Sequence, residues 1–250
     1  MENSANDKIL ILSSVSKSFG KNEVLKDINL EVNKGETVTI LGKSGTGKSV
    51  ILKCIIGLLY PDSGSVEVFG KNISELNEDE LKDVRKKIGF LFQSGALYDS
   101  MVVRDNLEFP LLRSGKHVDG MKMTEKVEEV LNSVGLITAI DKMPSELSGG
   151  MRKRIALART LILDPLIILY DEPTTGLDPV TSREISELII KMQEKYDVTS
   201  IVVTHDMQCT KLVSSRIVLL KDGVLFKEGT YDELEKSNDE FVKGFFESNI

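Results

Sequence analysis

The sequence predicts an α/β fold with a mostly parallel β-sheet core, an antiparallel β subdomain and an inserted α-helical subdomain. Three observations predict it. Short apolar runs rich in β-branched residues alternate with helical patterns. A glycine-rich loop joins one of these runs to a helix, and the stretch from Ser94 to Met151 is helical in pattern without a convincing parallel strand. We therefore expect a single domain over residues 7–250, with a helical subdomain at 94–151.

Four buried apolar runs are the predicted core strands. They are Val38 to Leu41, Ile88 to Phe92, Leu166 to Tyr170 and Ser200 to Val203. Near-continuous hydrophobicity is typical of parallel strands that are covered on both faces. Antiparallel strands are predicted at Ile9 to Ser14, Val24 to Val32 and Ser65 to Gly70, and in a hairpin of Arg216 to Leu220 with Val224 to Glu228. The dipeptide Asp222-Gly223 favours the tight turn of that hairpin.

Helical periodicity is clear at two places. Val127, Val130, Leu131 and Val134 follow the i, i+3, i+4, i+7 spacing, and so do Ile185, Leu188, Ile189 and Met192. Thr181 with Glu184 predicts a capping box at the start of the second helix. The tail after Asp232 is predicted to form a short amphipathic helix that carries Phe241, Phe245 and Phe246.

Composition and charge exclude several classes of protein. The chain has 250 residues, 41% of them hydrophobic, and a formal net charge of -7, which argues against broad nucleic-acid binding. No apolar run approaches the roughly 20 residues that span a bilayer, so we expect a soluble, cytosolic chain. Cys54 and Cys209 stand far apart and are expected to be reduced packing residues. The basic cluster Arg152-Lys153-Arg154 is expected to be a solvated helix face, and His117 is assigned no role.

Residues 42–49 match the complete phosphate-loop pattern. They are Gly42, Lys43, Ser44, Gly45, Thr46, Gly47, Lys48 and Ser49. The loop follows a predicted strand and opens a predicted helix, as phosphate binding requires. Its glycines let backbone N–H groups converge on phosphates, Lys48 supplies a positive charge, and Ser49 offers a hydroxyl to magnesium.

Polar residues stand at the ends of three other predicted strands. Asp171 and Glu172 follow one strand, where open α/β sheets present their ligands. Taken alone, the pair would favour a salt bridge; with the phosphate loop, Asp171 is predicted to hold Mg²⁺ and Glu172 to act as the general base toward water. Gln93 could touch the metal or the attacking water, whereas a lone His205 is more often a structural residue.

The pentapeptide LSGGM, residues 147–151, indicates a second anion-binding site. Its serine and two glycines precede the predicted helical run 152–163. Free backbone N–H groups and the positive end of the helix dipole suit a phosphate. Two anion-binding ends with one set of acidic residues suggest half of a site that a second copy of the chain completes.

The order of these motifs resembles that of the ATP-binding cassette (ABC) ATPases over nearly the whole chain. The resemblance implies a RecA-like P-loop ATPase core that uses ATP and Mg²⁺. It implies that Phe19 stacks on adenine and that Ser148, Gly149 and Gly150 grip the γ-phosphate of ATP held by the other subunit's Lys48. It further implies that Asp178 communicates across the interface, that His205 contacts the γ-phosphate, and that Gln93 with the helical insertion passes closure to a membrane partner.

Residues 90–101 and 143–146 are similar to the ATPase subunits of Mla/Mce-type phospholipid transport systems. That resemblance implies a peripheral subunit on the cytoplasmic face of the inner membrane, with permease subunits and a substrate-binding Mce-type subunit as partners, and no nucleic acid. A transporter ATPase for lipoprotein, amino acid or metal cargo remains open. A non-transport cassette ATPase is disfavoured because the chain has one intact cassette without coiled-coil heptads. A binding-only module is disfavoured by the presence of both Asp171 and Glu172.

Overall fold

The computed structural model describes residues 8–114 and 119–247. His117, which the sequence analysis assigned no role, lies outside the described residues. The chain forms two compact units, one of Met1–Arg85 with Thr199–Ile250 and one of Lys86–Val198. The expected boundaries of the domain and its insertion stay predictions.

The strands of the first unit are β1 (Lys8–Phe19), β2 (Asn22–Asn33), β3 (Thr37–Leu41), β4 (Ser63–Val68), β5 (Lys71–Asn72), β8 (Thr199–Thr204), β9 (Arg216–Lys221) and β10 (Val224–Gly229). Those of the second unit are β6 (Ile88–Leu91) and β7 (Ile167–Asp171). The α-helices of the first unit are α1 (Lys48–Ile55), α2 (Glu78–Arg85), α7 (Met207–Val213), α8 (Tyr231–Glu235) and α9 (Glu240–Glu247). Those of the second unit are α3 (Val103–Arg113), α4 (Gly120–Ser133), α5 (Gly149–Leu161) and α6 (Pro179–Tyr196).

The first unit contains an antiparallel sheet in the order β2-β1-β4-β5. Leu10 on β1 faces Val32 on one side and Val68 on the other, and all three side chains are buried. Strand β3 follows β2 in the chain and pairs in parallel with β8 and β9, with Thr39 opposite Val202 and Ile217. Every residue of β3 and β8 is buried, which explains why both strands lack charged residues and contain only threonine and serine beside apolar side chains. The predicted parallel and antiparallel strands of this unit are confirmed.

The hairpin of β9 and β10 turns at Asp222-Gly223, where φ is 49° and 84°. Positive φ at both central residues is the requirement of a type I′ turn, whose twist matches that of the flanking strands. The predicted hairpin is therefore confirmed.

Among its described residues, the second unit combines the parallel pair β6 and β7 with four α-helices. Gly89 lies opposite Ile168 in that pair, and α5 packs against β6. Between β6 and α5 the described residues are helical or irregular and include no strand, as the sequence predicts. In α4, Val127, Val130 and Leu131 form the buried face.

The predicted capping box at Thr181 is wrong, because α6 begins earlier. Asp178 is the N-cap residue, and its carboxylate accepts hydrogen bonds from the backbone N–H groups of Val180 and Thr181 at 3.1 and 3.0 Å. Pro179 follows as the first helical residue, a position where proline loses no hydrogen bond. Glu184 is instead paired with Arg154, at 2.7 Å.

The tail forms two short helices rather than the single predicted one. The Thr230 side chain caps α8 by accepting from Glu233 N, and α9 follows as a separate helix. Val242 and Phe245 of α9 are buried in an apolar cluster with residues of the first unit that include Leu41 and Ile217. The amphipathic character of the tail is confirmed, since its apolar face covers this cluster.

Across residues 8–114 and 119–247, no helix has the length and apolar character that crossing a bilayer would require. Cys54 and Cys209 are both buried and reduced, as the sequence predicts.

Candidate active site

The phosphate loop lies between β3 and α1 in the first unit. Gly45 and Gly47 adopt φ values of 80° and 101°, a region that favours glycine. At Gly47 a side chain is excluded twice over, since a Cβ would also lie 2.8 Å from Val24 Cγ1. Gly47 is the N-cap residue of α1, so the loop leads directly into a helix N-terminus. Loops of this form aim backbone N–H groups at a bound phosphate.

Lys48 is held against the backbone of the phosphate loop. Its Nζ donates to the carbonyl oxygens of Gly42 and Lys43, at 2.8 and 3.1 Å, and the side chain is buried. Ser49 is half-buried in the same first turn of α1. The Lys48 ammonium is thus held at the loop, where a nucleotide phosphate can replace the two carbonyl oxygens as its hydrogen-bond acceptor.

His205 follows β8 and is exposed. It lines a cavity of about 430 Å³ together with Lys43 and Ser44 of the phosphate loop. The other wall of this cavity is α9, through Glu240, Phe241, Gly244 and Phe245. The first unit therefore brings His205 and the phosphate loop to one cavity, and the implied contact of His205 with a γ-phosphate stays a prediction. The position of α9 at this cavity was not predicted, because the apolar face of a helix does not show in the sequence which surface it will cover.

Asp171 and Glu172 lie at the carboxyl end of β7 in the second unit. Both side chains are buried, and Glu172 has a φ of 49°, in the left-handed region that a residue with a Cβ seldom adopts. The Thr175 hydroxyl donates to Glu172 Oε2 at 3.3 Å. A buried carboxylate on a strained backbone is characteristic of functional positions.

The LSGGM pentapeptide forms the start of α5, with Ser148 as its N-cap residue. The Ser148 side chain accepts from Met151 N at 3.2 Å, and Ser148 and Gly149 are exposed. The helix begins three residues before the predicted run, so both glycines belong to its first turn. Their free N–H groups remain suited to an anion.

Asp178 lies beside the pentapeptide within the second unit. A Cβ on Gly150 would lie 2.5 Å from Thr181 Cγ2, and the Thr181 hydroxyl donates to Asp178 Oδ2 at 2.6 Å. The hydrogen bonds from the Thr181 side chain and backbone hold the pKa of the exposed Asp178 carboxyl below its usual value. Thr181 thus lies between Gly150 of the pentapeptide and Asp178.

The basic cluster after the pentapeptide is not the solvated face that the sequence predicts. Arg152 is exposed, but Lys153 is only 7% exposed and Arg154 is half-buried against Glu184. Lys153 Nζ donates to the main-chain oxygen of Gln93 at 2.5 Å. Burial lowers the pKa of Lys153, while the negative charges of Asp171 and Glu172 oppose that shift. The lysine therefore links Gln93 and the acidic pair within the second unit, a contact that the charge pattern alone does not reveal.

Phe19 ends β1 in the first unit and is 48% exposed. The Lys17 ammonium lies over its ring, 5.9 Å from the centroid. An exposed aromatic ring at a strand end can stack on a planar base.

Each unit holds oxygen donors of the kind that Mg²⁺ accepts when nucleotide phosphates supply most of its ligands. Across residues 8–114 and 119–247 no group of three or more His, Cys, Asp or Glu side chains could hold a metal ion. Magnesium in phosphate-loop enzymes needs only one or two protein oxygens, with phosphates and waters completing the octahedron. The Ser49 hydroxyl in the first unit, and the Asp171 carboxylate and Gln93 amide oxygen in the second, are oxygen donors of that kind, and their role as ligands stays a prediction. Within the first unit, the buried Lys48 and the N-terminus of α1 are suited to bind phosphate.

Comparison with known proteins identifies the family. The profile of the family described as ABC transporter matches residues 25–175, more than half of the chain. The intermembrane phospholipid transport system ATP-binding protein MlaF of Haemophilus influenzae is 39% identical over 243 residues, which cover 96% of this chain and 92% of that protein.

Two further relatives are named as ATP-binding proteins of transport or import systems. The "Probable ribonucleotide transport ATP-binding protein mkl" of Mycobacterium leprae is 42% identical over 234 residues, 94% of this chain and 67% of that protein. The methionine import ATP-binding protein MetN of Clostridium acetobutylicum is 40% identical over 223 residues, 89% of this chain and 69% of that protein.

A solved structure shares the fold. The dimeric post-hydrolysis structure of the ATP-binding cassette MJ0796, bound to ADP and Pi, aligns with a TM-score of 0.81 at 36% identity, covering 88% of this chain and 98% of that one. With the family profile, the relatives and the fold in agreement, the chain belongs to the ABC transporter family as an ATP-hydrolysing subunit that powers transport.

Proposed function

We propose that this chain is the ATPase subunit of a phospholipid transporter, and that it dimerises around two ATP molecules to drive a membrane permease. The similarity to MlaF, over 96% of this chain and 92% of that protein, is the observation that supports phospholipid as the cargo. The similarity of MetN, 40% identical over 69% of its length, favours amino-acid import as the second candidate. The partners would include permease subunits and an Mce-type substrate-binding subunit, at the cytoplasmic face of the inner membrane.

Dimerisation would supply each nucleotide with residues of both copies. Ser148, Gly149 and Gly150 form a helix N-terminus in the second unit that is suited to an anion, whereas the phosphate loop belongs to the first unit. The similar cassette MJ0796 forms a dimer bound to ADP and Pi. In the proposed dimer, ATP held by Lys48 of one copy meets the pentapeptide of the other. Loss of the γ-phosphate then weakens the bridge and reopens the dimer.

Each residue at the proposed site has a defined task. Phe19 stacks on adenine, and residues 42–49 hold the phosphates, with Ser49, Gln93 and Asp171 as magnesium ligands. Glu172 accepts a proton from the attacking water, a step for which its buried carboxylate is suited. His205 contacts the γ-phosphate, and Asp178 reports its state to the other copy. When bound, Mg²⁺ neutralises charge on the phosphates.

A groove in the second unit has the character of a permease docking surface. It measures about 200 Å³ and is lined by residues that include Phe90, Phe92, Pro110 and Arg159. Phe92 is 36% and Tyr98 41% exposed, which is high for aromatic side chains in a monomer. The groove adjoins Gln93, so an inserted permease helix could sense the nucleotide state through that residue.

Replacing Glu172 tests the proposed hydrolysis. Glu172→Gln should bind ATP normally and lower kcat by about 10²- to 10⁴-fold, the range that a general base contributes. It should also accumulate as an ATP-bound dimer in sedimentation experiments. Glu128→Gln removes an exposed carboxylate from α4 and serves as the matched control. Normal turnover in Glu172→Gln would contradict the assigned base.

Two further variants separate binding in one copy from binding across the dimer. Lys48→Ala should lose nucleotide affinity in equilibrium binding. Ser148→Arg should abolish turnover but leave ATP binding to the monomer intact, because the pentapeptide acts on the neighbour's ATP. Equal loss of both properties in Ser148→Arg would refute the in-trans role.

The cargo is tested by purifying the membrane complex and identifying its subunits and bound lipid. A permease with a single-pass substrate-binding subunit and phospholipid would support the proposal. Recovery of an amino-acid-binding protein in place of these would overturn it in favour of the second candidate.

A further inference from the structure

Two cationic side chains of α5 hold the backbone of the segment that follows β6. We call residues 92–98 the Gln93 segment. Lys153 Nζ donates to the carbonyl oxygen of Gln93, and Arg159 Nη1 donates to that of Ala96, both at 2.5 Å. Between these two contacts the helix and the segment touch directly, because a Cβ on Gly95 would lie 3.3 Å from Ala156 Cβ. The segment therefore lies along one side of the helix that begins with the pentapeptide.

The backbone of the Gln93 segment is shaped to receive these contacts. Gly95 and Ala96 have φ values of 79° and 49°, and Gly95 N donates to Phe92 O at 2.8 Å. The Arg159 guanidinium also lies over the Tyr98 ring, 4.6 Å from its centroid. A left-handed alanine is unfavourable in isolation. The contacts with α5 compensate for it by using the carbonyl that this turn presents.

Lys153 is costly to bury unless its ammonium is bound. A charged group with 7% exposure needs hydrogen bonds and nearby opposite charge to stay in place. Gln93 O supplies the first, and the nearby carboxylates of Asp171 and Glu172 supply the second. One side chain thus touches the segment of a proposed metal ligand and lies in the field of the proposed catalytic carboxylates.

We propose that Lys153 and Arg159 are positioning residues that fasten the Gln93 segment to α5, so that the Gln93 amide and the pentapeptide move as one body. The inference rests on the function proposed above for Gln93. Arg159, Gly95 and Ala96 also line the groove assigned to the permease. A shift of the pentapeptide toward the neighbour's ATP is then transmitted to the magnesium ligand and to the docking groove by the same two hydrogen bonds.

The first test measures metal affinity rather than turnover. In the Glu172→Gln background with ATP, Lys153→Met should weaken Mn²⁺ binding about 10- to 100-fold by electron paramagnetic resonance, the usual effect of removing a partner that orients a metal ligand. Arg152→Met changes charge by the same amount one residue away, at an exposed position, and should leave the affinity within twofold. Lys153→Arg keeps a cationic donor and should restore part of the loss.

The second test separates positioning from structural support. With Glu172 intact, Lys153→Met should lower kcat about tenfold or more, while the affinity of the monomer for metal-free ATP stays within twofold. A lysine that only stabilised the fold would lower Tm without these changes. A folded Lys153→Met protein with unchanged Mn²⁺ affinity and kcat would overturn the inference.

A variant-free measurement covers the case in which Lys153→Met does not fold. In the wild-type chain, amides of the Gln93 segment and of residues 149–154 should exchange with solvent at matched opening rates, because one body opens at once. Opening rates that differ more than tenfold would refute the coupling. This outcome can be told apart from a failure of the proposed function, which would show in the ATP hydrolysis of the wild type and of Glu172→Gln, in the Ser148→Arg variant, or in the subunits of the purified complex.

Discussion

Gly149 and Gly150 are adjacent in the pentapeptide but should respond in opposite ways to replacement by alanine. A Cβ at Gly149 would lie 3.5 Å from Leu177 Cδ2, an ordinary contact distance. At Gly150 the corresponding distance to Thr181 Cγ2 is 2.5 Å. Thr181 cannot rotate away at no cost, because its hydroxyl and its N–H both bind Asp178. Gly150→Ala must therefore push apart the starts of α5 and α6.

The magnitude follows from two opposing contributions. Alanine is more favourable than glycine in a helix by up to about 0.8–1.0 kcal/mol. Overpacking a closed contact costs about 1–3 kcal/mol. Gly149→Ala should therefore be neutral or stabilising, and the two variants should differ by about 1–3 kcal/mol. At about 2–4 °C per kcal/mol for a chain of this size, Gly150→Ala should melt roughly 2–12 °C below Gly149→Ala.

Thermal unfolding of the two variants, without nucleotide, is the assay. Both substitutions add the same methyl group to the same helical turn, so each is the control for the other. Hydrogen exchange should also rise at residues 178–181 in Gly150→Ala only, since the displaced Thr181 takes the Asp178 cap with it. Equal melting temperatures would refute the argument that the close approach of α5 and α6 requires Gly150.

Three other predictions concern separate parts of the chain. Because the pKa of Asp178 is lowered in the folded chain, its contribution to stability is complete above its unfolded pKa of roughly 3.9 and is lost as pH falls through the lower folded pKa. Asp178→Asn should therefore make the free energy of unfolding less dependent on pH in that window. Equal acid dependence of the variant and the wild type would contradict the capping role. Burial raises the pKa of Cys54 to about 11, so at pH 8 a disulfide reagent should label the native chain slowly and both thiols rapidly after unfolding; fast native labelling at Cys54 would oppose this. Phe245→Ala should destabilise the first unit by about 3–5 kcal/mol in denaturant unfolding, against less than about 0.5 kcal/mol for the exposed Lys243→Ala, and equal effects would show that α9 is not docked.

The strands and the site motifs were predictable because each depends on local chemistry. A strand buried on both faces, such as β3, has few polar and no charged residues, and the phosphate loop needs glycines next to Lys48. The positions of Gln93, Glu172 and His205 at or just after strand ends follow directly from the strand pattern. The chemical roles assigned to them stay predictions.

The contacts that were missed depend on packing between elements distant in sequence. Lys153 looks like part of a solvated basic face, and only the approach of residue 93, sixty positions away, makes it a buried donor. The start of α6 was misplaced because Asp178-Pro179 and Thr181 with Glu184 are both acceptable helix starts. Proline at the first helical position decides between them, and Arg154 then takes Glu184.

The left-handed backbone at Glu172 has a consequence for sequence change over time. Keeping a residue with a Cβ at a φ of 49° costs about 1–3 kcal/mol, which glycine would avoid. Under the role proposed for Glu172, selection for hydrolysis opposes selection for stability at this position. In a lineage that stops hydrolysing ATP, the constraint is lifted, and glycine should replace the glutamate more often than a conservative amide does. The residue at position 172 would then indicate whether a descendant protein still hydrolyses ATP.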